Sequence, residues 1–128
     1  NMAATLGQLA EVLIVLKRDL GANWGNTVVM AMTEFGRTAA ENGTGGTDHG
    51  TGGLMVMAGG AIRGGKVFGQ WPGLDPAALY AGRDLMPTAD VRSYAGAAIA
   101  GLFGVSTRAL EEVIFPGLRL DKPPSILL

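Results

Sequence analysis

The chain contains no cysteine. That excludes a disulfide framework and any thiolate metal site, yet leaves the compartment open, because many exported proteins also lack cysteine. Charge is sparse too. Charged residues make up 16% of the 128 and the net charge is −1, so no basic surface points to nucleic acid or to an anionic membrane. No apolar run is long enough to span a bilayer, and the first residues, Asn1-Met2 onward, show no signal peptide. Histidine occurs once, at His49. There is no internal repeat and no convincing domain boundary. What the chain does have is apolar residues, at 48%, enough to build a core in one domain of ordinary size.

It also has glycine, 21 residues of it, and seven of these fall in one stretch, Thr33 to Gly53. That stretch holds His49, three acidic residues (Glu34, Glu41, Asp48) and Arg37. So many glycines forbid a continuous helix or strand and favour a tightly folded loop. Apolar runs flank it, Val28 to Met32 before and Leu54 to Ala58 after. Polar groups in a loop between two buried strands are the usual geometry of a site on an α/β scaffold.

Periodicity places the rest. Leu6, Leu9, Leu13, Leu16 and Leu20 are spaced by three and four, which predicts an amphipathic helix over about 4–20. Gly21 stops it. Residues 27–32 and 54–58 are apolar without alternation and read as strands buried on both faces. A helix followed by such a strand is half of a βαβ unit and predicts a parallel sheet. Val67 to Trp71 reads as a short further strand, and Pro72 to Pro87 as irregular. A helix over about 90–103 comes next, ended by Gly104, then a short one over about 107–113 with Ser106 as N-cap. Residues 121–128 read as a Pro-containing tail after a unit spanning 1–120.

Several local patterns have bland readings. Gly60 to Lys66 begins like a phosphate loop, but Val67 stands where Ser or Thr would hold magnesium, so a glycine-rich turn is the better reading. Asn42-Gly-Thr44 matches a glycosylation acceptor and is read as a loop. Ser93, Ser106 and Ser125 all lie far from His49 in sequence, so no serine triad is argued and the nucleophile is unknown. Asp48-His49 is sharper. Adjacent carboxylate and imidazole between Gly46 and Gly50 are ordinary ligands for zinc and other divalent metals. The alternative is that His49 hydrogen-bonds a loop that Asp48 caps.

The run Val28 to Arg37, with Asn42, Gly46-Thr-Asp-His-Gly50, Gly59-Gly60, Gly64-Gly65, Lys66-Val67, Gly69, Trp71-Pro72 and Thr88-Ala-Asp90, resembles the signature of the DUF1501 family. That is a bacterial family of largely unassigned function, related to the alkaline phosphatase and sulfatase superfamily. The resemblance implies the C-terminal part of a three-layer α/β/α sandwich with a mostly parallel sheet. It implies an exported, periplasmic or extracellular protein whose signal lies on a segment not present here, and whose abrupt start is that of a cut piece; ordinary processing is the alternative. It also implies a metal-dependent hydrolase of small-molecule phosphate or sulfate esters, inactive as this isolated chain. The divalent metal would be zinc, manganese or calcium. One alignment equates Asp48-His49 with the superfamily's metal pair. Another places Glu34-Phe35 there, so that Phe35 replaces a metal-binding histidine and His49 becomes a later ligand. The metal candidates are therefore His49, Asp48 and Glu34. Arg37 holds an anion or pairs with Glu34 or Glu41. The competing function is a non-catalytic, exported binding or assembly domain with a degraded metal site. Expected partners are a second copy of the chain or the missing N-terminal part.

Overall fold

The computed structural model describes residues 2–128. Helix α1 runs Met2–Leu20. Its leucines supply the expected period, and Lys17 and Arg18 sit in its last turn, where positive charge complements the helix dipole. Gly21 leaves the helix with φ +51, a left-handed conformation that favours glycine. A 3₁₀ turn over Gly21–Asn26 comes next. Thr27 closes it, donating its N–H to Trp24 O at 3.1 Å and its hydroxyl to Asn23 O at 2.8 Å. No residue of α1 is buried, and among the described residues its closest packing against another element is with this turn.

The two apolar runs do pair with each other. Strand β1 (Val29–Ala31) and the later strand Val56–Ala58 form an antiparallel pair, with Met30 opposite Met57. Strands β2 (Gly36–Arg37) and β3 (His49–Gly50) form a second antiparallel pair; Val56–Ala58 is β4. The three-layer sandwich with a mostly parallel sheet therefore does not form: among the described residues the sheets are two separate antiparallel two-stranded pairs. The reason lies in the connection. A parallel crossover needs a covering helix, and the glycine-rich segment between β1 and β4 contains none. Nor are β1 and β4 buried on both faces. Neither strand has a fully buried residue, and Met30 is 36% exposed. Val67 to Trp71 is not a strand.

Helix α2 spans Val91–Phe103. The Asp90 carboxylate accepts from Arg92 N–H at 2.9 Å, and Gly104 closes the helix with φ +65. Its buried residues are all small: Ala95, Gly96, Ala97 and Ala98. Small side chains bring its backbone close to its neighbours. A Cβ on Gly96 would lie 3.3 Å from Leu120 Cδ1. Helix α3 (Thr107–Ala109) starts at Ser106, whose hydroxyl accepts from Ala109 N–H at 3.2 Å, and it runs into a π turn over Leu110–Ile114.

The core has two centres. Ala97, Ala98 and Ile126 form one, with Val28, Met57, Tyr94 and Leu127 around them. Leu110, Leu118 and Leu120 form the other, flanked by Ile99, Ala100, Val105 and Phe115. The last residues thus take part in the core: Ile126 is 2% exposed. They are held by the Gly60 to Lys66 turn. Arg63 N–H donates to Ile126 O at 2.8 Å, the Arg63 guanidinium donates to Leu127 O at 3.3 and 3.2 Å, and Leu128 N–H donates to Ala61 O at 3.0 Å. The phosphate-loop look-alike is a dock for the chain's own C-terminal segment.

Candidate functional site

Strands β2 and β3 bring Arg37 opposite His49 and Gly36 opposite Gly50. Both glycines are required by close approach. A Cβ on Gly36 would strike the backbone of Thr51 and Gly52, and one on Gly50 the backbone of Arg37. Residues 83–85 join from the other side. Leu85 N–H donates to Arg37 O at 3.1 Å, Ala39 N–H to Arg83 O at 3.0 Å, and Gly52 N–H to Leu85 O at 2.9 Å. Three segments distant in sequence are thereby tied together.

Asp84 is the centre of that tie. It is 5% exposed. Its carboxylate accepts from the Thr51 hydroxyl at 2.8 Å and from Arg83 Nε at 2.7 Å. The hydrogen bond from Arg83, followed by that from Thr51, holds the Asp84 carboxyl below the usual carboxylate range, outweighing burial. Arg83 is correspondingly raised, first by its hydrogen bond to Asp84. Thr38, also buried, adds a second anchor: its hydroxyl accepts from Asp48 N–H at 3.1 Å.

The tip of the loop is organised by Asn42. Its side-chain oxygen accepts from Thr44 N–H at 3.0 Å, the Thr44 hydroxyl at 2.8 Å and Gly46 N–H at 3.1 Å. Its amide nitrogen donates to Asp48 Oδ1 at 2.8 Å. This is an Asx-type turn, in which a short polar side chain satisfies backbone groups that glycines leave bare. The Asn42-Gly-Thr44 triplet is therefore built into the loop as structure.

The four residues read from sequence have separate surroundings. His49 is exposed and its ring packs on Phe35, with centroids 4.3 Å apart and planes tilted by 44°. Asp48 is bound by Asn42. Arg37 donates from Nη1 to Thr47 O at 3.1 Å and takes part in none of the ion pairs found among the described residues, so neither Glu34 nor Glu41 is its partner. Glu34 is exposed at the entry to the loop. Among the described residues, no three His, Cys, Asp or Glu side chains come together closely enough to hold a metal ion.

The family model described as a protein of unknown function, DUF1501, matches residues 1–114. The chain belongs to the DUF1501 family. No curated protein and no solved structure matches it. The match takes in the whole loop and Asp84 of this DUF1501 chain, while Leu118, Leu120 and Ile126, which close its core, come after the matched residues. Membership carries no assigned activity. No helix among the described residues is long and apolar enough to cross a membrane.

Sequence reading missed Asn42, Thr38, Thr51 and Asp84 as the groups that shape the site. An Asn before Gly, Thr and two more glycines is a signal for an Asx turn. For Asp84 there was none, because its partner Thr51 lies far away in the sequence.

Proposed function

We propose that this DUF1501 chain is a non-catalytic binding or assembly unit of an exported protein, presenting a rigid glycine loop to a partner. The observation that supports this reading is where the loop's polar groups are spent. Asp48, Asn42, Thr38 and the Asp84–Thr51 pair hold the loop's own shape. The groups left at its surface are the tilted His49–Phe35 pair and the remaining N–H groups of Arg37, which suit an aromatic or anionic contact. The export in this reading, to the periplasm or the extracellular space, rests on the family resemblance alone. Calorimetric titration of the chain with zinc and with manganese tests it. The expected result is no saturable heat, together with no turnover of an aryl phosphate or an aryl sulfate. Stoichiometric binding that disappears in His49→Ala would overturn it.

A second reading has one observation in its favour, the adjacency of Asp48 and His49 at the start of β3. In it, residues 1–120 are the C-terminal part of a metal-dependent hydrolase of phosphate or sulfate esters. His49, Asp48 and Glu34 would be ligands to zinc, manganese or calcium, and Arg37 would hold the anionic ester. Further ligands and the nucleophile would have to come from outside this chain, from the missing N-terminal part. This reading expects the longer protein to bind metal much more tightly than this chain, and His49→Ala to abolish the gain.

A further inference from the structure

Every backbone N–H from Asn42 to Gly46 is hydrogen-bonded within the loop except that of Gly43. Asn42 N–H donates to Gly46 O at 2.7 Å, Gly45 N–H donates to Asn42 O at 3.1 Å, and the N–H groups of Thr44 and Gly46 donate to Asn42 Oδ1. Among the described residues the Gly43 N–H has no partner. Nor does the fold need a glycine there. Gly36 and Gly50 are forced by close approach, but a Cβ on exposed Gly43 would meet nothing within 4 Å, and its φ is not in the left-handed region. A glycine that neither space nor conformation demands has a chemical use. Without a side chain, its nitrogen can close on the carboxamide before it, a reaction within one chain that needs no encounter. Asn42-Gly43 is the one Asn-Gly pair of the sequence; Asn23 precedes bulky Trp24 and Asn26 precedes β-branched Thr27.

We propose that Asn42 is a self-modification site, at which the chain turns its own asparagine into aspartate or isoaspartate through a succinimide and so unlocks the loop tip. Gly43 N bonds to Asn42 Cγ, and the bond from Cγ to Nδ2 breaks. The proton given up by the Gly43 N–H is balanced by the one that the leaving amide group takes up, and ammonia departs. Water then opens the ring at one carbonyl, giving aspartate, or at the other, giving isoaspartate. Nothing is oxidised or reduced. Attack puts negative charge on Asn42 Oδ1. Three donors already converge on that atom: Thr44 N–H at 3.0 Å, the Thr44 hydroxyl at 2.8 Å and Gly46 N–H at 3.1 Å. Donors at such distances stabilise a developing oxyanion.

The product undoes what the amide did. Asn42 Nδ2 is the donor that holds Asp48 Oδ1 at 2.8 Å. An oxygen in its place has no proton to give at neutral pH and sets one carboxylate against another. Isoaspartate also lengthens the main chain by one methylene, at the residue on which the tip's hydrogen bonds centre. Asp48 is thereby released and the tip opens. The change runs one way, because ammonia is lost. It goes beyond the binding reading and does not depend on it: whatever the loop contacts, its closed form is the young form of the chain.

The whole chain, aged in mildly alkaline buffer and read by peptide mass spectrometry, should gain the mass of an amide turned to an acid at Asn42. Asn23 and Asn26 are the internal controls. Released ammonia and methyl transfer by an isoaspartyl methyltransferase should accompany the change. Gly43→Ala, which the fold accommodates, should slow conversion about tenfold or more. Thr44→Val removes one oxyanion donor and should slow it about threefold or more, with Thr44→Ser restoring the rate. A hydroxyl that merely clamped the tip would have the opposite effect, its loss speeding the reaction. Asn42→Asp should be cut by protease within residues 38–52 about tenfold faster than the parent chain. An Asn42 no more reactive than Asn23 or Asn26 overturns the proposal. Faster conversion in Thr44→Val overturns the role of the converging donors, and cleavage of Asn42→Asp at the parent rate overturns the unlocking.

Discussion

Helices α1 and α2 differ in the direction opposite to their hydrophobic bulk. The longer α1 is rich in leucine, isoleucine and valine and buries none of its residues; α2, built on Ala95, Gly96, Ala97 and Ala98, supplies the core. Burial here tracks backbone approach. A helix that presents alanine and glycine can lie close to Ile126, Leu118 and Leu120, whose side chains fill the space its own do not. A leucine-covered face holds its neighbours at a distance and needs a matching surface, and among the described residues none buries a residue of α1.

The contrast can be broken most forcefully at the core. Leu110 is 0% exposed and sits against Leu118 and Leu120. Leu110→Ala should cost about 3 kcal/mol, read from the urea midpoint at unchanged slope. An equal loss from Leu6→Ala on α1 would erase the distinction between the two helices. The tie at Asp84 comes next. Asp84→Ala should leave Thr51 and Arg83 without their partner and free the loop, read as protease cleavage within residues 38–52 roughly tenfold faster than in the parent chain. Its acid dependence has a definite sign. The folded chain holds Asp84 ionised at lower pH than the unfolded chain does, so its contribution is complete above about pH 4 and fades as pH falls through the folded value. A pH titration of the urea midpoint in the parent chain should show that loss, and Asp84→Asn should flatten it. Smaller still, Asp90→Ala removes the cap of α2 and should cost about 1 kcal/mol by the same midpoint. At the far end of the scale, Ile14→Gln on exposed α1 should change the midpoint by no more than about 0.5 kcal/mol.

The helices were legible because their signals are local. Leucine spacing and Gly21 bound α1, Gly104 ends α2, and Ser106 opens α3. The strands were found at Val29–Ala31 and Val56–Ala58, and their place in one sheet was expected, but their direct antiparallel pairing and their partial burial were not. An unalternating run of apolar residues is the same string whether it lies in the middle of a parallel sheet or in a two-stranded pair with one face against small residues. Direction is decided by the connection, and a connection of glycines returns the chain antiparallel. The loop was recognised as the chain's polar centre, yet its chemistry was weighted towards Asp48 and His49. Their neighbours Asn42 and Thr38 decide what Asp48 does, and Asp84 reaches Thr51 across 33 residues of chain. Nothing in a local pattern records such a bond.

The docking of the C-terminal segment also has a consequence in time. Leu127 pairs with Ile62, and Ile126 completes the cluster around Ala97 and Ala98. A ribosome adding about 5–20 residues per second needs several seconds to travel from the first member of that bridge to the second. Through that interval Arg63 and Ala61 wait without their partners, and from the time α2 is made its small-residue face stands open to whatever is near. This body accordingly closes late, only once Ile126 and Leu127 have been made, and a nascent chain paused before Ile126 should be the form that chaperones hold.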